Sequence, residues 1–286
     1  MLISGNIERS VLHLDLDTFF VSVERLKNSR LNGKPVIIGG MSDRGVVSSC
    51  SYEARKYGVS SAMPMKMART LCPDAIVIRG DMESYSSYSK MVTDIIALKS
   101  PLYEKASIDE HYVDLTGMDR FHGCSKWSRE LRQYIVRETG LPVSMGLSIN
   151  KTVSKIAAGE AKPNGEKEVN KEVVLPFLDP LSISRIPMIG PKTYRMLRSM
   201  GIATIYTLRN IPAEMLEKLI GKNGIEIWKK ANGIDRTPVF SYSEQKSIST
   251  EHTFDKDTTD VKRLNQILAS MVEKIAYELR KQEKLT

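Results

Sequence analysis

Residues 11–17, VLHLDLD, alternate strictly, so Leu12, Leu14 and Leu16 fall on one face of an extended strand and His13, Asp15 and Asp17 on the other. TFFVSVERLKN follows directly and reads as a helix, which makes the opening element a half-buried strand with carboxylates at its end. Such a strand needs partners. KPVIIGG reads as a short apolar strand closed by glycines, YEKASIDEHYVDLT as a pair of strands with an acidic centre, and PVSMGLSI as a further strand. Between them, GVVSSCSYEARKYGV and SAMPMKMARTL supply a strand and two short helices, so a small mixed unit is inserted after the first strand, up to about Asp81. Helical patterns cover Tyr85 to Leu98, Ser125 to Thr139, and NKTVSKIAAGEA, which stops at KPNG. Helices interleaved with strands in this way specify an α+β core.

Beyond about Asn170 the strand signals stop. Proline and glycine punctuate short helices in IPMIGPKTYRMLRSMG, TIYTLRNIP, AEMLEKLIGKNG and IEIWKKANG, the pattern of a small all-helical domain. From Lys246, KSISTEHTF alternates as a strand would, and Leu264, Ile267, Leu268, Met271, Ile275 and Leu279 then form a helical apolar stripe that one strand and one helix cannot bury unaided.

Composition narrows the function classes. The 286 residues carry 42 basic and 34 acidic side chains, a formal charge of +8, which permits a polyanionic partner. No run approaches the roughly 20 apolar residues of a membrane span, and the N-terminal stretch lacks the pattern of a secretory signal. Cys50, Cys72 and Cys124 are odd in number and in no CxxC pair, so they read as reduced cytosolic thiols rather than a disulfide framework or zinc site.

Four features could carry chemistry. Asp15 and Asp17 project from the same strand face, and Asp109 and Glu110 sit where a second pair of strands turns; a bend there lets Asp109 and Glu110 join Asp15 around hard cations such as magnesium, which take oxygen ligands from several segments. Spacing alone is equally compatible with solvated acids at strand ends. Tyr52 and Arg55, at i and i+3 of a helical turn, could hold one phosphate group or simply pack and face solvent. Lys162 closes a helix at the KPNG turn, within reach of a triphosphate or merely favourable to the helix dipole. IPMIGPKTYRMLRSMGI has the punctuation of a helix-hairpin-helix, with Gly190 at the turn, Pro191 at a first helical position, Gly201 as a helix stop, and Lys192, Arg195 and Arg198 on one face to meet DNA phosphates. Phe19 reads as core, Phe20 as the ring beside any nucleotide at the metals, and His111 as a structural histidine. No serine elbow or Cys/His arrangement supports a nucleophilic mechanism.

The ordered set HLDLDTFFVSVE, GKPVIIGG, GVVSSCSYEARKYGV, SAMP, SIDEHYVDLT, GLSINKTVSKIAA, AKPNG and the hairpin resembles the Y-family DNA polymerases, most closely their DinB type, over nearly the whole chain. The resemblance implies a right-hand polymerase: a ferredoxin-like palm from 1–18 and 82–169, small fingers from 19–81, an all-helical thumb with the hairpin from 170–240, and the start of a little finger from 241–286. It implies that Asp15, Asp109 and Glu110, with the Leu16 backbone carbonyl, bind two Mg2+ ions while Asp17 supports them. Tyr52, Arg55 and Lys162 are then triphosphate contacts, Phe20 the steric gate against a ribose 2′-hydroxyl, and Ser48 and Ser49 the small residues over the nascent base pair. Primer-template DNA and deoxynucleoside triphosphates are the implied partners of a cytoplasmic, monomeric enzyme copying past damage at low fidelity. A sliding clamp is a further expected partner, through a C-terminal peptide that this sequence lacks along with the rest of the little finger, so the chain reads as a fragment. His111 and the GEAKPNG form of the last motif depart from the usual family pattern. Two other readings stand beside the polymerase: a nucleotidyl cyclase with a similar palm, and a non-catalytic binder using the DNA-binding hairpin alone.

Overall fold

A computed structural model describes residues 8–120, 123–241 and 245–284. In chain order its elements are β1 (Val11–Leu16), α1 (Phe19–Lys27), β2 (Val36–Gly39), β3 (Val47–Cys50), α2 (Tyr52–Arg55), α3 (Met65–Leu71), β4 (Ile76–Ile78), α4 (Met82–Lys99), β5 (Tyr103–Lys105) and β6 (Glu110–Asp114). There follow α5 (Cys124–Thr139), β7 (Val143–Ser148), α6 (Lys151–Ala161), β8 (Glu166–Val169), α7 (Val174–Leu178), α8 (Pro191–Ser199), α9 (Ile205–Arg209), α10 (Ala213–Ile220), α11 (Asn223–Ala231) and α12 (Val261–Lys281). The fold class is α+β. The described chain divides into two compact units, one holding residues up to Ser22 and from Glu83 to 241, the other Val23–Met82 and the residues from 245 onward.

The first unit is built on a five-stranded sheet of order β5-β6-β1-β7-β8, with β7 and β8 parallel and the other neighbours antiparallel. The alternation in VLHLDLD predicts a strand with one face open, but all six residues of β1 are buried. Its central place explains the difference: β6 and β7 flank it, and the His13 ring on its polar face lies 4.6 Å from that of its ladder partner Tyr112. Helix α6 is pressed onto β7 at Gly146, where a Cβ would stand 2.1 Å from the Ser154 carbonyl oxygen. Asn150 starts that helix by accepting the Val153 N–H. Helix α6 also gives Val153, Ile156 and Ala157 to a core shared with Val174, Leu178, Ile183, Leu197 and Leu216 of the helical segment. Sheet and helical segment therefore fold around common apolar residues.

In the second unit β2 lies between β3, antiparallel, and β4, parallel. Ile37, Val47, Cys50, Ala54, Met65 and Ala68 form its core. The stripe predicted from Leu264 onward is the helix α12, capped by Asp260, with Leu264 and Leu268 exposed. The strand expected in KSISTEHTF does not form: residues 245–260 contain no ladder among the described residues, and an alternating sequence becomes a strand only when a neighbour accepts its backbone hydrogen bonds. The three cysteines are buried free thiols. Among the described residues no helix is long and apolar enough to cross a membrane.

Candidate catalytic site

The acidic segments meet through backbone pairing. In the β1–β6 ladder Asp15 stands opposite Glu110, and the Leu16 N–H donates to the Asp109 carbonyl at 3.0 Å. Because β6 begins at Glu110, Asp109 lies in the turn before it, which is the bend that two adjacent carboxylates need in order to escape strand alternation. Ser107 shapes that turn: its Oγ accepts the N–H groups of Asp109 and Glu110 and donates to the Asp109 carboxylate at 2.6 Å. Helix α4 holds the turn from behind, with the Ser89 hydroxyl on the Ile108 carbonyl at 2.6 Å and Thr93 Oγ1 2.9 Å from His111 Nε2.

Asp17 is buried and tied to structure, accepting the Ser144 hydroxyl at 2.8 Å and the Asn164 N–H at 2.5 Å. These contacts anchor the KPNG turn, and with it Lys162, the residue that closes α6. The Lys162 ammonium lies 2.6 Å from Asp15 and 3.9 Å from Asp17. Lys155, seven residues earlier and so on the same side of α6, holds both carboxylate oxygens of Glu110, at 2.5 Å from Oε1.

The two ladder partners are driven apart electrostatically. Burial pushes Asp15 up to about 6 despite Lys162. Burial also works to raise Glu110, but His13 and Lys155 beside it bring it down to about 2. His13 is fully buried, its Nε2 stands 3.7 Å from Glu110, beyond hydrogen-bond distance, and burial lowers its pKa. His111 is held neutral, at about 3, by burial and by the Lys105 ammonium. Among the described residues no three carboxylate, imidazole or thiol groups stand close enough to close round one ion. The donor chemistry nevertheless fits a hard divalent cation: Asp15, Asp109 and Glu110 are oxygen donors brought to one end of the β1–β6 pair, and Asp15 is a desolvated carboxylate whose ionisation a cation would favour.

The chain leaves β1 through Thr18, whose φ of +42° is a sparsely populated conformation for a β-branched residue. The turn delivers Phe19 into the core and leaves Phe20 half-buried, its ring stacked on Tyr85 with centroids 4.3 Å apart and planes 11° from parallel. Also in the first unit, Gly190 precedes α8 and Pro191 is its first residue, while Lys192, Arg195 and Arg198 are all exposed on that helix. The second unit carries Tyr52 and Arg55 in α2, the Arg55 guanidinium 5.0 Å from the centre of the Tyr52 ring. It also carries Ser48 and Ser49 on β3, where Ser48 is exposed and Ser49 buried. Lys155, His13, Ser107 and Tyr85 are site residues that the sequence reading did not single out; the helical seven-residue spacing of Lys155 and Lys162 was the one available signal.

Comparison with known proteins identifies the family. Residues 14–159 match the impB/mucB/samB family and residues 245–286 match that family's C-terminal domain. The DNA polymerase IV of Dehalococcoides mccartyi strain BAV1 is 42% identical over 280 residues, covering 97% of this chain and 72% of that protein. Among solved structures, DinB from Sulfolobus solfataricus superposes with a TM-score of 0.75 at 32% identity, covering 81% of this chain and 69% of that one. A chimeric Y-family DNA polymerase reaches a TM-score of 0.81 at 30% identity, covering 94% and 80%. With the strand register of its acidic residues and relatives matched over most of both chains, this chain belongs to the impB/mucB/samB family, the DinB-type Y-family DNA polymerases.

Proposed function

We propose that this chain is a template-directed DNA polymerase of the low-fidelity translesion class, extending a primer 3′-hydroxyl with deoxynucleoside triphosphates. The observation that carries the reading is the register that sets Asp15 opposite Glu110 with Asp109 at the adjoining turn, in a chain of this family. In the mechanism, Asp15, Asp109, Glu110 and the Leu16 carbonyl would hold two Mg2+ ions. Bound there, magnesium supplies a lowered pKa at the primer hydroxyl and charge neutralisation for the departing pyrophosphate. The remaining work belongs to side chains that position. Tyr52, Arg55 and Lys162 take the triphosphate, with Lys162 exchanging Asp15 for phosphate oxygens. Phe20 meets the sugar, and the stacked Tyr85 ring limits how far it can yield to a 2′-hydroxyl. Ser48 and Ser49, both small, leave the nascent pair loosely enclosed, which favours damaged templates at the expense of fidelity. The N–H groups following Gly190, with Lys192, Arg195 and Arg198, hold backbone phosphates without reading sequence. The protein acts in the cytoplasm as a monomer.

The test is primer extension on an undamaged template with Mg2+, run with the native chain, Asp109→Ala, and Phe20→Ala offered ribonucleotides. The reading requires extension by the native protein, its loss in Asp109→Ala, and gained ribonucleotide use in Phe20→Ala. A cyclic product from a lone nucleotide would favour a cyclase, and DNA binding without any Mg2+-dependent turnover would favour a non-catalytic binder.

A further inference from the structure

Two ammonium groups stand where cations are needed. Lys155 and Lys162 lie seven residues apart, about 10 Å along α6, and each pairs with one member of the Asp15–Glu110 ladder step. Lys162 has a second partner in the proposed mechanism, but Lys155 has none: its ammonium closes on both oxygens of Glu110 and does nothing else in the reaction. We propose that Lys155 is a built-in counter-ion of Glu110, a positioning residue that keeps this carboxylate satisfied in the free protein and that a divalent cation must displace to bind. The proposal rests on the reading of Glu110 as a metal ligand.

Three features of the site support it. The Lys155 ammonium sits on both oxygens of Glu110, so a divalent ion approaching those oxygens meets like-charge repulsion and occupied ligand atoms until that ammonium withdraws. Lys155 is the group able to withdraw, because its side chain is 36% exposed and its charge rides on a long flexible stem, whereas the backbone of Glu110 is fixed by the ladder. Glu110 is not abandoned when Lys155 leaves, since the buried His13 has no hydrogen-bond partner for either ring nitrogen and faces Glu110 at 3.7 Å. Removing the ammonium therefore removes a competitor for Glu110 without exposing a strand or the core.

The measurement is Mn2+ binding to the free protein, without DNA or nucleotide, followed by electron paramagnetic resonance for the native chain, Lys155→Met, Lys155→Gln, Lys155→Arg and Glu110→Ala. The proposal expects Lys155→Met and Lys155→Gln to bind Mn2+ roughly 3- to 10-fold more tightly than the native chain, consistent with loss of one like charge at partial solvent screening. Lys155→Arg, which keeps the ion pair, should bind no more tightly than the native chain. Lys155→Met should also reach half-maximal primer extension at lower Mg2+. Unchanged or weaker Mn2+ binding in Lys155→Met and Lys155→Gln, with weaker binding in Glu110→Ala, would overturn the counter-ion role while leaving the metal-site reading standing. Native Mn2+ affinity in Glu110→Ala would remove both.

Discussion

The Phe20 ring lies flat against Tyr85, 4.3 Å between centroids, and Tyr85 is fully buried. The proposed role of Phe20 as a gate that works by collision needs something rigid behind the ring, and a buried ring in van der Waals contact supplies that. Tyr85→Leu should therefore relax sugar discrimination, measured as the ratio of kcat/KM for a deoxynucleotide to that for the matching ribonucleotide. The expected fall is roughly 10-fold, the lower end of what one pocket contact discriminates. Phe20→Ala should lose more, since it removes the colliding ring itself. Equal ratios in Tyr85→Leu and the native chain would show that Phe20 is held by other contacts.

Gly146 and Gly159 make opposite predictions around a single helix. An added Cβ at Gly146 meets the backbone of α6, at 2.1 Å from the Ser154 oxygen and 2.5 Å from the Ala158 nitrogen, and backbone atoms cannot rotate aside. Gly146→Ala should cost about 3 kcal/mol or more, at or above the usual overpacking penalty, and should lower activity by moving Lys155 and Lys162. At Gly159, inside α6, an added Cβ meets nothing within 4 Å. Gly159→Ala should stabilise by about 0.5–1 kcal/mol through helix propensity. Denaturant midpoints for both variants decide the pair.

How much of this was legible depended on whether a feature is local. The strand around Asp15, the stop of α6 before Pro163 and the helix start at Pro191 are written in neighbouring residues, and the structure has the strand, the end of α6 at Ala161 and α8 from Pro191. Strand β8 escaped notice because EKEV offers one apolar residue in four; it is an edge strand held by backbone pairing to β7, with its first three residues exposed. β4 is three residues long, below the span in which periodicity has meaning. KSISTEHTF failed for the opposite reason, having the alternation but no ladder neighbour among the described residues. In the site, the acids were recognisable and their pairing was not, since register is a property of two strands. Tyr85 behind Phe20 and Lys155 on Glu110 are likewise long-range contacts that no spacing rule reaches.

The turn carrying Asp109 and Glu110 depends on α4. Thr93 donates its hydroxyl to the Ser89 carbonyl at 2.8 Å, so its oxygen is left to accept from the neutral His111 ring, which is buried. Thr93→Val keeps the shape but leaves that ring N–H without an acceptor, at a cost of about 1–3 kcal/mol. Ser89→Ala similarly strips the Ile108 carbonyl of its side-chain donor. Both variants should melt earlier, and both should lower kcat for primer extension more than they raise KM for the nucleotide, because the turn they loosen carries the acids. Thermal melts with native midpoints would show that α4 is not the support of this turn.

Asp235 gives the fold a pH dependence whose sign can be worked out. It accepts the Thr152 N–H at 3.1 Å and the Thr152 hydroxyl at 2.7 Å, tying the chain after α11 to the start of α6, and Lys230 stands 3.7 Å away. Burial acts to raise its pKa, but hydrogen bonds from Thr237 and Thr152 and the charge of Lys230 outweigh it and hold the carboxyl at about 2, against an ordinary 3.8. A folded pKa below the unfolded one means that the unfolded chain binds the proton more readily. The contribution, of order 2 kcal/mol, is therefore full above about pH 4 and lost as the pH falls toward 2. Asp235→Asn cannot titrate here, so the gap in melting temperature between native and variant should be widest near pH 5 and should close between pH 4 and pH 2. A gap that stays constant across that interval would mean that the carboxyl contributes through packing rather than charge.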